Sequence, residues 1–334
     1  MSLNVAILND TNQGGAHFGC QRVMLTIRSE LAKRGITDIP SIGVGVNWEK
    51  DYYARSLIGK AKLLIVNGEG TIHHGKRKAR WLISAIELVK RNGGSVALIN
   101  CLWQENPEIW ARTISNCDIV YCRDSFSASE LQKLVKQVKW IGDLSMFHAI
   151  EPTNVARCGI TVSCSVSSKV TRELSLLASG VGAEFVPITK SLSVGTPGIL
   201  RKSKVLKSFF DRRASKAIFE KNPMAYLLTS HEEYIDHLQG KSLLITGRFH
   251  AVCLAILTKT PFIAISSNSW KIEALVADIG LDPKRVQPLS NLCEVFLSQN
   301  QWQYSKQELS NIEDALGSWR SQGTALFDQI RSLY

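Results

Sequence analysis

Short β-branched runs alternate with amphipathic helical stretches along almost the whole chain, and that alternation leaves few folds open. A strand, a helix and a second strand in succession build a parallel sheet covered by helices. Val5–Asn9 reads as a first strand, Gln21–Arg34 as a helix stopped by Gly35, and Leu63–Asn67 as a strand running into Gly68-Glu69-Gly70-Thr71. Lys78–Asn92 is expected as a long helix ended by Gly93-Gly94, with Val96–Asn100 returning as a strand. Pro107–Ser115 reads as helical and Ile119–Cys122 as a strand, and Asp124 is placed to cap a helix over Ser125–Val135. Val138–Ile141 then leads to Gly142-Asp143.

Around Glu151-Pro152-Thr153-Asn154 the periodicity lapses, which marks a linker. The second half restarts the same alternation. Gly159–Ser163, Phe185–Ile188, Leu243–Thr246 and Phe262–Ile265 read as strands, and Arg172–Ala178, Tyr234–Leu238, Ala251–Leu257 and Trp270–Ile279 as helices. Gln303–Leu333 reads as a long helical region with a break near Gly317. A chain of 334 residues also exceeds the comfortable size of one hydrophobic core. The expectation is therefore two Rossmann-like α/β domains, residues 1–150 and 151–334, facing each other across a cleft. No internal repeat of about 20–50 residues is visible, which argues against a solenoid.

The hydrophobic fraction of 45% and charged fraction of 21% are ordinary for a globular protein, but the formal charge of +11 is not. It favours acidic partners: a polyanion, an anionic membrane surface or small phosphorylated molecules. Cations are dense between Leu200 and Asn222 (Arg201, Lys202, Lys204, Lys207, Arg212, Arg213, Lys216, Lys221), with Phe209, Phe210, Ile218 and Phe219 among them. Such a segment suits an amphipathic contact with an anionic membrane or glycan, a mobile lid, or a solvated helix face, the usual meaning of a charge run. Nucleic acid is not expected as a partner, because no nucleic-acid-binding module is recognisable. The eight cysteines form no C-x-x-C pair and show no histidine at zinc spacing, so they read as buried thiols in a reducing compartment. With no secretory leader and no apolar run of about 18 residues, the protein is expected in the cytoplasm.

Chemistry concentrates where strands end. Thr246-Gly247-Arg248-Phe249-His250-Ala251 joins a buried strand to an apolar helix, so the first helical N–H groups are turned towards an anion. Arg248 offers a permanent cation with a planar donor fork, and His250 a proton carrier near neutral pH. Gly68-Glu69-Gly70-Thr71 lets backbone approach a ligand, and His73 and His74 follow closely. Arg123, at the end of the 119–122 strand, suits either an anion clamp or a structural ion pair. Lys271 falls in the first turn of a helix, where the dipole disfavours a cation unless an anion is bound. His17, after Gly14-Gly15-Ala16, is the runner-up proton carrier to His250, or a loop or helix-start histidine hydrogen-bonded to backbone. A metal held by His17, His73 and His250 is compatible with the spacing, but nothing in the sequence calls for one.

In order, G-E-G-T (68–71), C-R-D-S-F-S (122–127), W-I-G-D (140–143), G-R-F-H (247–250) and S-N-S-W-K (267–271) resemble the polysaccharide pyruvyl transferase family, as does N-D-T…H-F-G-C (9–20). The resemblance runs through about residue 280. The departure is Gly68-Glu69-Gly70, where the family has three glycines. What the resemblance implies is a GT-B-like pair of domains, with an acceptor side in the first and a donor-binding G-R-F-H motif in the second. It implies transfer of a pyruvyl group from phosphoenolpyruvate to two hydroxyls of a sugar, as a cyclic ketal, with no tightly bound metal or other cofactor. It makes His250 the acid or base, with His17 as runner-up. Arg248 and Arg123 become the clamps on the anionic donor, Lys271 a lesser phosphate ligand, and Gly68, Glu69, Gly70, Thr71 and His73 further substrate contacts. The acceptor would be a glycan or sugar, polymeric or lipid-linked; a lipid-linked one would give the 201–221 segment a place on the cytoplasmic membrane face. Two other readings stay open. One is a GT-B-like glycosyltransferase using a nucleotide sugar, and the other a non-catalytic glycan- or membrane-binding protein.

Overall fold

The computed structural model describes residues 4–13, 15–192, 204–266, 269–292, 294 and 299–334. Its contacts divide the chain into two compact units. The first comprises Met1–Gly14, Arg22–His148 and Asp314–Tyr334, and the second Gly15–Gln21 and Ala149–Glu313.

The first unit is built on six parallel strands: β1 (Val5–Asp10), β2 (Ser41–Gly43), β3 (Leu63–Glu69), β4 (Ser95–Cys101), β5 (Ile119–Cys122) and β6 (Val138–Trp140). β1 and β3 are buried along their whole length, which is why their sequences are continuous apolar runs rather than alternating ones. Helices α1 (Phe18–Ala32), α2 (Tyr52–Lys60), α3 (Arg77–Arg91), α4 (Glu108–Ile114) and α5 (Ser125–Gln132) link them. α3 turns Ala79, Leu82, Ile83, Ala85, Ile86 and Val89 to the core, and Gly93, at φ 75°, lets the chain leave. Asp124 caps α5 by accepting the Ser127 N–H at 2.7 Å. The strand order β2-β1-β3-β4-β5-β6 makes the chain run one way from β1 and the other way towards β3. A crevice opens at the carboxyl ends of two strands that part in this way.

The second unit holds β7 (Ile160–Ser165), α6 (Ser168–Gly180), β8 (Glu184–Phe185), α7 (Lys204–Lys221), α8 (His231–Gln239), β9 (Leu243–Gly247), α9 (Phe249–Leu257), β10 (Phe262–Ile265), α10 (Lys271–Ile279) and β11 (Val286–Gln287). Its order, β11-β10-β9-β7-β8, is the same doubly wound pattern counted from β7, and its switch point lies between β7 and β9. The chain is thus two Rossmann-like α/β domains of one topology. Among the described residues no helix is long and apolar enough to cross a membrane.

Several details depart from expectation. α1 begins at Phe18, three residues before the expected Gln21, and β2, α2 and β11 were not anticipated. The strand expected over Phe185–Ile188 is the two-residue β8. The terminal helix α11 (Lys306–Ser332) runs unbroken through Gly317, and its residues from Asp314 onward belong to the first unit rather than the second. A mid-helix glycine costs about 1 kcal/mol, and burial of Leu316, Trp319, Leu326, Phe327 and Ile330 outweighs it. Gly15–Gln21 likewise groups with the second unit, not the first. On α7 the described cations Arg212, Arg213, Lys216 and Lys221 are exposed while Ile218 is buried, the pattern of a solvated helix face. Arg201 and Lys202 lie outside the described residues.

Candidate active site

In the second unit the switch point is shaped by Gly247. It pairs with Ser165 across β9 and β7, and a Cβ there would lie 2.5 Å from Ser165 Oγ, so a side chain would prise the strands apart. Arg248 follows in extended conformation (φ −111°, ψ 122°) as the N-cap of α9, without a side-chain cap of its own. Its backbone N–H donates to Thr246 Oγ1 at 3.1 Å, and its Nε donates to Cys164 Sγ at 3.3 Å. The guanidinium is thereby fixed beside the uncapped N–H groups of a helix buried from end to end. His250 lies in the first turn, 7% exposed.

The segment Gly15–Gln21 supplies the other half of this site. Its backbone runs antiparallel to residues 188–190: Phe18 N–H donates to Ile188 O at 3.2 Å and Lys190 N–H to Ala16 O at 2.9 Å. His17 is held by that pairing with its ring centroid 5.2 Å from that of His250, at an interplanar angle of 73°. The contact depends on Gly19, since a Cβ there would come within 2.2 Å of His250 Cβ. Burial, then the neighbouring His250 and Arg248, hold the His17 imidazole well below its ordinary pKa, so it is neutral at pH 7. Cys20 completes the group: donor atoms of His17, Cys20 and His250 all lie within 4.8 Å of one another. From the sequence, the cysteines are expected to lack a histidine at zinc spacing. Cys20, three residues after His17, corrects that, and H-x-x-C was the signal that could have found it.

In the first unit the switch point lies between β1 and β3. Asn9, Glu69 and Asn100, at the carboxyl ends of three neighbouring strands, take positive φ values of 69°, 34° and 54°. Non-glycine residues in that region cluster at functional sites. Asn9 Nδ2 donates to Asn67 O at 2.6 Å and to Thr71 Oγ1 at 3.0 Å. Glu69 Oε2 accepts from Thr11 Oγ1 at 2.6 Å and Asn67 Nδ2 at 3.0 Å, so this carboxylate is buried and tethered. Gly68 packs where a Cβ would stand 2.7 Å from Cys101 Cα. Gly70 faces Arg123, whose Nη2 lies 3.9 Å from the position of an added Cβ. Arg123 is itself buried, with Nη1 3.4 Å from Asp143 Oδ2. Asn9, Asn67 and Asn100, which end strands in the sequence reading, have no site role there. Their signal was an asparagine at each strand end, which turn chemistry also explains.

The structure therefore gathers His17, His250 and Arg248 in one unit, and Gly68, Glu69, Gly70, Thr71 and Arg123 in the other. Lys271 is the first residue of α10, half-buried; Ser267 and Asn268 of its motif lie outside the described residues. His73 is engaged locally, its Nδ1 2.7 Å from His74 Nδ1 and its Nε2 2.8 Å from Lys76 Nζ. A neutral imidazole, a second imidazole and a fixed guanidinium can bind an anion and move protons on it.

The family model of polysaccharide pyruvyl transferases matches residues 18–269, three quarters of the chain. No curated protein matches by sequence. Among solved structures, the chain is similar to a UDP-GlcNAc 2-epimerase from Methanocaldococcus jannaschii, with a TM-score of 0.55 and 11% identity over 96% of this chain and 99% of that one. It is also similar to the Neisseria meningitidis UDP-GlcNAc 2-epimerase (0.54, 12%, 96% and 98%) and to a glycosyltransferase from Rickettsia africae (0.51, 11%, 99% and 99%). At such identities the likeness concerns the fold alone.

Proposed function

The chain belongs to the polysaccharide pyruvyl transferase family, and from that premise we propose that it transfers the pyruvyl group of phosphoenolpyruvate to a sugar as a cyclic ketal. The observation that carries the reading is the pairing of His17 and His250 beside Arg248 at the buried N-terminus of α9. Phosphoenolpyruvate brings a phosphate and a carboxylate, both suited to a guanidinium fork and to helical N–H donors. The methylene carbon takes a proton and becomes a methyl group, and the adjacent carbon gains positive character. One sugar hydroxyl adds to that carbon and a second displaces phosphate. Of the two hydroxyl protons, one balances the proton placed on carbon and the other leaves with phosphate. His250 serves as the acid towards the methylene, and His17, kept neutral by its surroundings, takes a hydroxyl proton. Arg248 stabilises the departing phosphate, with Lys271 as a second cation.

The first unit takes the sugar on this reading. Asn9, Asn67, Glu69, Thr71 and Arg123 offer the mixed donors and acceptors that hydroxyls require. The acceptor is a polysaccharide precursor, polymeric or lipid-linked. On this reading the reaction takes place in the cytoplasm. The exposed cations of α7 would supply a peripheral contact with anionic lipid.

Calorimetric titration of phosphoenolpyruvate into the wild type and Arg248→Ala, with a nucleotide sugar as competitor, tests the proposal. Binding that weakens at least about tenfold in the variant, and that the nucleotide sugar leaves alone, is expected for loss of one charge-assisted contact. Binding of the nucleotide sugar alone would replace this reading with a glycosyltransferase.

A further inference from the structure

We propose that His17, Cys20 and His250 form a binding site for one divalent transition-metal ion of the zinc class. Two imidazoles and a thiol are the borderline donors that such ions take, whereas magnesium and calcium prefer oxygen. All three donor atoms lie within 4.8 Å of one another before any ion draws them in. The rings are also set as a tetrahedral site needs. Two imidazoles bound through nitrogen at zinc distances place their centroids about 5 Å apart, and here the separation is 5.2 Å with the planes turned by 73°. His17 Nδ1 is buried and makes no hydrogen bond beyond a contact with its own backbone, a costly state for a polar atom unless something else fills it.

The scaffold is rigid on both sides. His17 is pinned by the backbone pairing with Thr189, and Cys20 stands three residues on, in the first turn of α1, with its thiol close to the imidazole. His250 rises from α9, whose residues are all buried, and Gly19 leaves it room between the other two ligands. Arg248 acts on His17 and opposes a dication, while a metal-bound thiolate offsets one charge. Three protein ligands leave a fourth position open to water or an anion, the arrangement of reactive rather than purely structural zinc sites.

The ion site does not depend on the proposed reaction. One consequence does rest on it: a ring nitrogen bound to metal cannot carry a proton, so zinc-class ions would inhibit pyruvyl transfer.

The test is titration of Co²⁺ into the full chain after treatment with a chelator. One equivalent is expected to give the intense visible bands of a four-coordinate site and a near-ultraviolet thiolate-to-cobalt band, both bleached by Zn²⁺. Cys20→Ser is expected to lose the thiolate band, His17→Ala to weaken Co²⁺ binding at least about tenfold, and Cys158→Ser, at an exposed thiol, to keep both. Zn²⁺ should raise the thermal midpoint of the wild type and of Cys158→Ser but not of the two ligand variants. Stoichiometric binding that survives Cys20→Ser with its thiolate band, or no binding by the wild type, overturns the site. Because phosphoenolpyruvate binding is read separately by calorimetry, failure of one proposal leaves the other standing.

Discussion

Gly19 decides where His250 can stand. Replacing it with alanine drives a methyl group into the His250 Cβ, and overpacking of that kind costs about 1–3 kcal/mol. A displaced proton carrier costs more in rate, and about a hundredfold loss of phosphoenolpyruvate-dependent phosphate release is expected of Gly19→Ala. Melting curves alongside turnover would separate the two effects, and unchanged turnover would remove His250 from the chemistry. His17 gives a second prediction. Its folded-state pKa lies below 6.5, so on acidification the unfolded chain takes up a proton that the folded chain refuses. Its contribution to stability is whole above pH 6.5 and declines below it. His17→Gln should therefore flatten the fall in thermal midpoint on acidification from about pH 7 to 5. Some slope will remain, because burial also lowers His148, and lowers His237 to about 4. At this scale Arg248 and His250 were legible, because a strand-end cation and imidazole are hard to explain as core. Cys20 was not, because a thiol beside Phe18 at the start of an apolar helix looks like packing.

Among the elements, α11 shows how a helix start is secured. Ser305 Oγ accepts the Glu308 N–H at 3.1 Å, and Glu308 Oε2 accepts the Ser305 N–H at 2.9 Å, a reciprocal capping box. The same carboxylate takes two hydrogen bonds from buried Arg285, at 2.8 and 2.9 Å, and Arg285 stacks 4.3 Å above the Tyr304 ring. Burial works to raise the Glu308 pKa, but the hydrogen bonds from Arg285 and Ser305 prevail and hold it down to about 2. Its contribution is present above the ordinary value of 4.5 and is lost as pH falls through about 2. Glu308→Ala strands a buried guanidinium and should cost about 3–5 kcal/mol, read as a lower denaturant midpoint. A loss of a few tenths would mean that water replaces the carboxylate. The long buried strands and α3 were legible from their patterning. β2, three residues long, shows no period, and α2 buries only Ala54 and Ile58, too thin a stripe to stand out.

Over the whole molecule, the repeated alternation made two domains of one class readable, and the linker near residue 151 falls close to the break at His148–Ala149. The allegiance of the last helix was not readable, because its apolar stripe states that it packs but not on what. Trp319 covers Gly142, and Phe327 meets Phe147 at 6.1 Å, so residues 314–334 complete the core of the first unit. A chain stopped after Glu313 is expected to lose protease resistance within residues 22–148; full resistance there would show that core to be self-sufficient. The cations of α7 belong to this scale as well. Neutralising Arg212, Arg213 and Lys216 should leave turnover of soluble substrates unchanged while weakening co-sedimentation with anionic vesicles. Unaltered co-sedimentation would end the membrane role. The late return of the chain to its first unit also bears on how the protein is made. Ribosomes add about 5–20 residues per second, so the first core waits roughly 10–40 seconds after residue 148 before its last helix emerges. In that interval its apolar surface needs a chaperone or a provisional cover, and the domain begun first is the one finished last.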